Sequence, residues 1–297
     1  MQWNACSLTA RFLELKNYLS HVDTLPHIIC VQETWLKKGQ DFSLPNYRVL
    51  RRDRDPSIAS RGGGVCTLIS NTVEYKLIEL TMSLECIVTE IFIEQSKLTV
   101  INVYDPPNPS VDVENYRKLF KTKGHCIITG DFNAHNPLWK SSHLDRRGDM
   151  IELMLDENNF AIINTGQPTY QKGEGGMSVL DLTFVSSNYA NRCDWTTLND
   201  TLGSDHVPTI ITINANFTES TTVTPKWLLN KADWQKYRNE INSVNFDTIQ
   251  CNDVEIFCTN VINVINTMRR KRSQYRLVQY VENSSHYPIG TINVLAL

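Results

Sequence analysis

Two spacings alternate along the chain. In "LTARFLELKNYL" apolar residues recur at helical intervals, and "PHIICVQ" follows as a short β-rich run, an early helix-to-strand step. From 47 to 104 the pattern changes to successive strand-like segments, "YRVLRR", "GGVCTLIS", "VEYKLIEL", "CIVTEIFIE" and "LTVINVY". No helix intervenes, so several of them are expected to pair antiparallel. After the break "DPPNPS", the helical stretch "VENYRKLFK" leads to the strand "CIIT", and a second helix, "RRGDMIELMLDEN", precedes "FAIIN". "LDLTFV" and "PTIITI" complete a domain that ends near Phe217. Meanders with interspersed helices predict an α/β (α+β) domain over 1–217, two mixed sheets face to face with helices outside. Residues 218–297 read as a Thr-rich linker, "TESTTVTP", then two amphipathic helical stretches and an irregular polar tail.

Composition narrows the classes. With 297 residues, 41% hydrophobic and 21% charged, the chain has the balance of a soluble globular protein of one large or two smaller domains. A net charge of -3 and a pI of about 6.2 do not announce a nucleic-acid binder, although a local basic groove would be enough for one. The 8 cysteines form no CxxC pair, which removes zinc-ribbon spacing, and most lie inside apolar runs such as "HIICVQ". That usage fits a reduced compartment. The N-terminal sequence has neither the charge nor the apolar stretch of a signal peptide or membrane anchor, so the expected location is nuclear or cytoplasmic, with no membrane partner. "MRRKRSQYR" at 268–276 reads as a solvated helix end, with a nuclear-localisation or nucleic-acid patch as the alternative.

The chemistry is concentrated where strands end. "IICVQE" ends in Glu33, "LTVINVY" in Tyr104, and "CIITGDFN" in Asp131 and Asn133, while "LDLTFV" brings Asp181 to a strand start. "SDH" puts Ser204, Asp205 and His206 just before another strand, and Asn4 lies in "QWNACS". In an extended segment Asp131 and Asn133 share one face and Phe132 points inward. A turn closed by an Asx side chain is the alternative reading of the same residues. Each of the others also has a structural alternative, as a cap, a solvated hydroxyl or a turn residue. Their combination carries more weight, because sheet ends are where layered α/β proteins build their sites.

Taken together, "WNACS", "VQETWL", "NVYDPP", "GDFNAHNPLW", "SVLDLTF" and "SDHVP" resemble the successive signatures of the endonuclease/exonuclease/phosphatase superfamily. The similarity is nearest to the apurinic-type endonuclease domains of non-LTR, jockey-like retrotransposons, and "RGGGV", "RRGDMIELML" and "INTGQPTY" extend it over roughly residues 2 to 217. The resemblance implies a four-layer sandwich and a Mg²⁺-dependent phosphodiesterase that nicks DNA, with Mn²⁺ able to substitute. It implies Glu33 as principal metal ligand with Asp205 and Asn4 beside it, and Asp131 as the base that activates water. Asn133 would fix that water or a phosphate oxygen. His206, supported by Asp181, would stabilise the transition state, and Tyr104 would contact the phosphate.

The family resemblance also places a tight turn at the glycine-rich "SRGGGVC", which lacks the end of a phosphate-binding P-loop. His135 and His143 are candidates for a DNA-facing loop, and Trp139 is read as core. Two features depart from the family. Only Met1 and Gln2 precede the "WN" motif, an abbreviated first strand expected to weaken stability and the placement of Asn4. No reverse transcriptase follows, so any such partner is expected from elsewhere, and the chain is expected to be a monomer. The alternatives are a catalytically impaired nucleic-acid-binding remnant and a phosphatase of a soluble phosphoester.

Overall fold

In a computed structural model, the structure describes residues 1–55, 57, 62–80, 82–93, 96–107, 112–173 and 176–214, with 235, 238, 239 and 242 beyond them. The chain divides into compact units Met1–Ser220 and Thr221–Leu297, against the boundary at 217 read from the sequence. The helical stretches expected after 218 and the basic run at 268–276 lie outside the described residues, apart from those four positions, which are helical.

The first unit contains two six-stranded sheets. One runs β13 (Cys193–Thr197), β14 (Thr209–Ile213), β1 (Gln2–Asn4), β2 (Ile28–Gln32), β4 (Val65–Ser70) and β3 (Tyr47–Arg52). The other runs β5 (Tyr75–Ile78), β6 (Glu85–Ile93), β7 (Ser96–Tyr104), β8 (His125–Asp131), β12 (Asp181–Ser186) and β9 (Phe160–Ile162). A hairpin of β10 (Tyr170–Lys172) and β11 (Gly176–Ser178) stands apart. Helix α1 (Phe12–His21) packs on the first sheet, and α2 (Val113–Phe120) and α3 (Arg146–Asn158) pack on the second.

Alternation along the central strands fixes these layers. In β2, Ile29 and Val31 join Trp3, Leu15 and Leu68 beneath α1, while Cys30 faces the other sheet beside Ile69, Ile91 and Val185. In β8, Cys126 and Ile128 face α2 and α3 with Phe120, Phe184 and Met154, while Ile127 points into the space between the sheets. Both faces of these strands are therefore covered, which explains why they read as nearly continuous apolar runs. The result is a four-layer α/β sandwich.

The antiparallel meander expected between 47 and 104 is present: β3 pairs with β4, β5 with β6, and β6 with β7. Helices α2 and α3 begin at Asp caps, Asp112 accepting from the Glu114 and Asn115 N–H groups and Asp145 from the Gly148 N–H at 2.6 Å. The short β1, the hairpin β10–β11 and β13 had no strong periodic signal. Strand β1 is only three residues long, yet it is inserted between β14 and β2, pairing Trp3 with Val31 and Asn4 with Gln32. Neighbours on both sides hold it where its apolar length does not.

One glycine permits the approach that aligns the site. Gly130 sits where β8 runs beside β7, and a Cβ there would stand 1.8 Å from the Val103 carbonyl oxygen. The next pair in that register is Tyr104 with Asp131. Gly130→Ala is therefore expected to destabilise the protein by about 3 kcal/mol through overpacking against an unyielding backbone. Urea unfolding monitored by circular dichroism checks this, and an unchanged midpoint would contradict it.

Candidate functional site

The ends of β1, β2, β7, β8 and β12, with the turn before β14, carry their polar side chains to one place. Asp131 and Asp181 are direct Cα partners in the antiparallel pair β8–β12, and each is 1% exposed. Two carboxylates facing each other in a dry interior repel, so both must be held by donors. His206 supplies the charge: its Nδ1 lies 2.7 Å from Asp181 Oδ2, and its Nε2 lies 3.9 Å from Asp131 Oδ2. Burial alone would lower the His206 pKa. Asp181, by charge and hydrogen bond, followed by Asp131 and Asp205, outweighs burial and raises it to about 10. Burial, with the Asp181 charge added to it, pushes the Asp131 carboxyl above the usual range against the opposing pull of His206.

Asn4 joins this group to a third carboxylate. Its Nδ2 donates to Asp131 Oδ2 at 2.9 Å and to Glu33 Oε1 at 3.1 Å, while its Oδ1 accepts from the Cys6 N–H. The Tyr104 hydroxyl donates to Glu33 Oε1 at 2.8 Å, and Trp35 Nε1 donates to Glu33 Oε2 at 3.0 Å. Glu33 therefore has three donors although it is only half-buried.

The backbone is bent to present it. Glu33 and Trp35 have φ of 47° and 54°, and Cys6 and Ser7 across the cleft have 43° and 91°. Such left-handed conformations in non-glycine residues cost free energy and persist only where neighbours impose them. Here the neighbours are the Ser7 N–H on the Glu33 carbonyl and the glycine-rich turn, whose Gly63 and Gly64 carbonyls accept from Trp35 and Thr34. The tight turn read at "RGGGV" thus braces Glu33, although Arg61 itself lies outside the described residues.

The segment after Asp131 is not extended, and the expectation of a shared face for Asp131 and Asn133 is corrected. Asn133 has φ of 46°, its N–H donates to Asp131 Oδ1 at 3.0 Å, and its side-chain amide turns away to the Asp105 carbonyl. The Asx turn is present, and it leaves half of the carboxylate free for other partners: Asp131 closes the turn with one oxygen and faces Asn4 and His206 with the other. Phe132 is fully buried as expected, and Trp139 is core at 1% exposure. His135 and His143 stack on each other at 4.3 Å.

Asp205 is exposed beside the cluster, its loop fixed by Ser204, whose Oγ donates to the Asn4 carbonyl at 2.8 Å and accepts from the His206 N–H. The structure thus gathers Asn4, Glu33, Tyr104, Asp131, Asp181, Asp205 and His206, with Asn133 at the rim. Tyr104 meets the cluster through Glu33.

Several contributors were not legible. Gln2 Nε2 donates to Asp181 Oδ1 at 2.7 Å and to Gln32 Oε1 at 2.8 Å, while its own oxygen accepts from Thr209. Gln32 passes the chain to Asn102, which donates to the Val31 and Cys66 carbonyls between the sheets. All three are fully buried. Arg147 of α3 donates to the carbonyls of Phe132, Asn133 and Pro106 and lies 3.0 Å from Asp105, locking the turn behind Asp131. The available signal was a polar residue inside an apolar strand, as in "CVQ" and "VINVY".

The donor set can be tested against a divalent cation. Four carboxylates surround the cleft with His206 as the one cation paired to them among the described residues, and Asp131 already resists ionisation. That excess of negative, oxygen-only donors fits a hard cation. Among the described residues no three His, Cys, Asp or Glu side chains converge to hold a metal by themselves. A cation carried by one or two carboxylates and several waters, as Mg²⁺ prefers, needs no such group.

Residues 98–210 match the sequence profile described as endonuclease–reverse transcriptase. Over 219 residues the chain is 29% identical to the RNA-directed DNA polymerase from mobile element jockey of Drosophila melanogaster, and over 221 residues 27% identical to that of Drosophila funebris. Each match covers 72% of this chain but 23% of the relative, so the chain spans about a quarter of the length of these proteins. Among solved structures, the endonuclease domain of TRAS1, a telomere-specific non-LTR retrotransposon, superposes with a TM-score of 0.57 at 22% identity, covering 72% of this chain and 96% of that one. The catalytic domain of Xenopus laevis APE2 gives 0.57 at 18% identity, covering 74% and 93%. At these identities the two superpositions establish the fold.

The paired charges make a prediction with a definite sign. The His206 pKa is raised from 6.5 to about 10, so the stability this contributes is present below pH 6.5 and lost as pH rises through about 10. Asp181→Asn removes its main source. In metal-free protein, the difference in unfolding free energy between wild type and Asp181→Asn should narrow between pH 7 and pH 10, with His206 titrating lower in the mutant by NMR. A difference constant across that range would contradict the pairing.

Proposed function

We propose that this chain, whose residues 98–210 match the endonuclease–reverse transcriptase profile and whose fold is that of endonuclease/exonuclease/phosphatase proteins, is a Mg²⁺-dependent endonuclease that nicks DNA and leaves a 3′-hydroxyl. The observation that carries this reading is the contact of Asp131 with both Asn4 and His206, which joins strand ends far apart in sequence around one opening. A 3′-hydroxyl is the end from which a reverse transcriptase could extend.

A phosphodiester carries its negative charge where a nucleophile must approach, so the site needs a base for water and positive charge at the phosphoryl oxygens. Asp131 has the raised proton affinity suited to the first task, and the Asn4 amide and the Asn133 N–H hold its two oxygens in place. It takes a proton from water as the new P–O bond forms and the bond to the 3′-oxygen breaks, and the leaving 3′-oxygen takes its proton from a solvent water to become the 3′-hydroxyl. His206, kept protonated by Asp181, donates to a non-bridging oxygen as charge accumulates. Glu33 and Asp205 would hold Mg²⁺, which when bound neutralises phosphate charge and that of the leaving oxygen. Asn4, Tyr104 and Trp35 orient Glu33 for that purpose. Gln2 and Asp181 keep the imidazole in register.

Purified protein should convert supercoiled plasmid to the nicked circle with Mg²⁺ and not with EDTA. Asp131→Ala and His206→Ala should each lower the rate by about 10²-fold or more, the scale expected for a general base or a charge-stabilising group. Wild type and both variants nicking alike would refute the assignment.

A further inference from the structure

Beside the cluster lies a cleft of about 500 Å³ whose wall includes Asp205, Ser204 and Gln171. Its one positively charged lining residue is Arg11. The stem of Arg11 lies against Gly203: a Cβ added there would be 3.2 Å from its Cδ and 3.4 Å from its Nε. The left-handed backbone of Gly203, with φ of 78°, leaves that space open for the arginine. Arg11 Nε is nevertheless buried with no acceptor, and among the described residues no carboxylate lies within ion-pair distance of the guanidinium. A buried donor left unmet is costly, and a cation packed in place without a counter-ion is ready for an anion from outside.

The cleft adjoins the candidate site through the loop it shares with it. Ser204 and Asp205 line it, the Gln171 N–H donates to the Asp205 carbonyl, and the Tyr170 ring packs on His206. An anion seated there would touch the same loop that carries His206. The Asp205 carboxylate would repel a bare anion, and a divalent cation held by Asp205 would relieve that repulsion and leave the Arg11 charge to act.

We propose that this cleft is a subsite for a phosphodiester next to the scissile one on the strand being cut, with Arg11 as its anion receptor. The proposal rests on the nuclease reading above. Lysine at this position would keep the charge without the fork of donors, and glutamine would remove the charge.

Fluorescence anisotropy of a labelled DNA duplex, with Ca²⁺ in place of Mg²⁺, separates the possibilities. Arg11→Gln should weaken binding by about tenfold and reduce the slope of log affinity against log salt by about one, and Arg11→Lys should restore the slope. Matched thermal unfolding of the three proteins secures the comparison. A duplex bearing one uncharged methylphosphonate, moved stepwise past the cleavage site, should weaken wild type at one neighbouring position and have no further effect on Arg11→Gln there. Equal losses in both proteins at every position would overturn the subsite, as would an unchanged salt slope. In nicking assays the loss in Arg11→Gln should fall mainly on KM. A variant that nicks with the wild-type KM overturns the subsite and leaves the nuclease reading standing. A wild type that binds with the predicted slope but never nicks overturns the nuclease reading alone.

Discussion

Two buried carboxylates placed opposite each other are the constraint around which the site is organised. Asp131 and Asp181 face one another across β8 and β12 in an interior where isolated charges are expensive. Both are stabilised from the opposite sheet. Asn4 and the loop carrying His206 come from the β1 and β14 side, and so does Gln2, which extends the chain through Gln32 to Asn102. The polar contact between the sheets is therefore also the scaffold of the site. Removing one member leaves another buried and unpaired, which is why such networks are worth most when complete.

This arrangement relates the fold to the chemistry. A single protonated imidazole serves both carboxylates, and burial together with the second carboxylate raises the proton affinity of Asp131. Strain is placed on the Glu33 side instead, in the left-handed Glu33 and Trp35, with the left-handed Cys6 and Ser7 nearby. Backbone hydrogen bonds from two separate loops sustain it. Beside the cleft, the Arg11 stem packs against the face of Gly203 that lacks a Cβ.

Long strands and helices were legible because their pattern is local. The run "YRVLRR" is β3 end to end, and "RRGDMIELMLDEN" is α3 with its Asp145 cap one residue ahead. The residues that converge at the candidate site were legible because they interrupt apolar runs at strand ends. Short elements were not: β1 has three residues and owes its existence to partners on both sides, and a pattern of that length has no period to read. Asn133 misled for a related reason, since a left-handed turn breaks the alternation that predicted its direction. Gln2, Gln32 and Asn102 looked like ordinary polar residues, and their role exists only once the two sheets are stacked. Arg147 acts across a comparable distance, from α3 to the turn behind Asp131.

The central claim is that this carboxylate cluster is built to hold a hard cation against a phosphodiester. Crystals soaked in Mn²⁺ and measured at the manganese edge test it most directly. The account predicts an anomalous peak between the carboxylates of Glu33 and Asp205, lost in Glu33→Gln. A peak bound elsewhere, or one indifferent to that substitution, would contradict it.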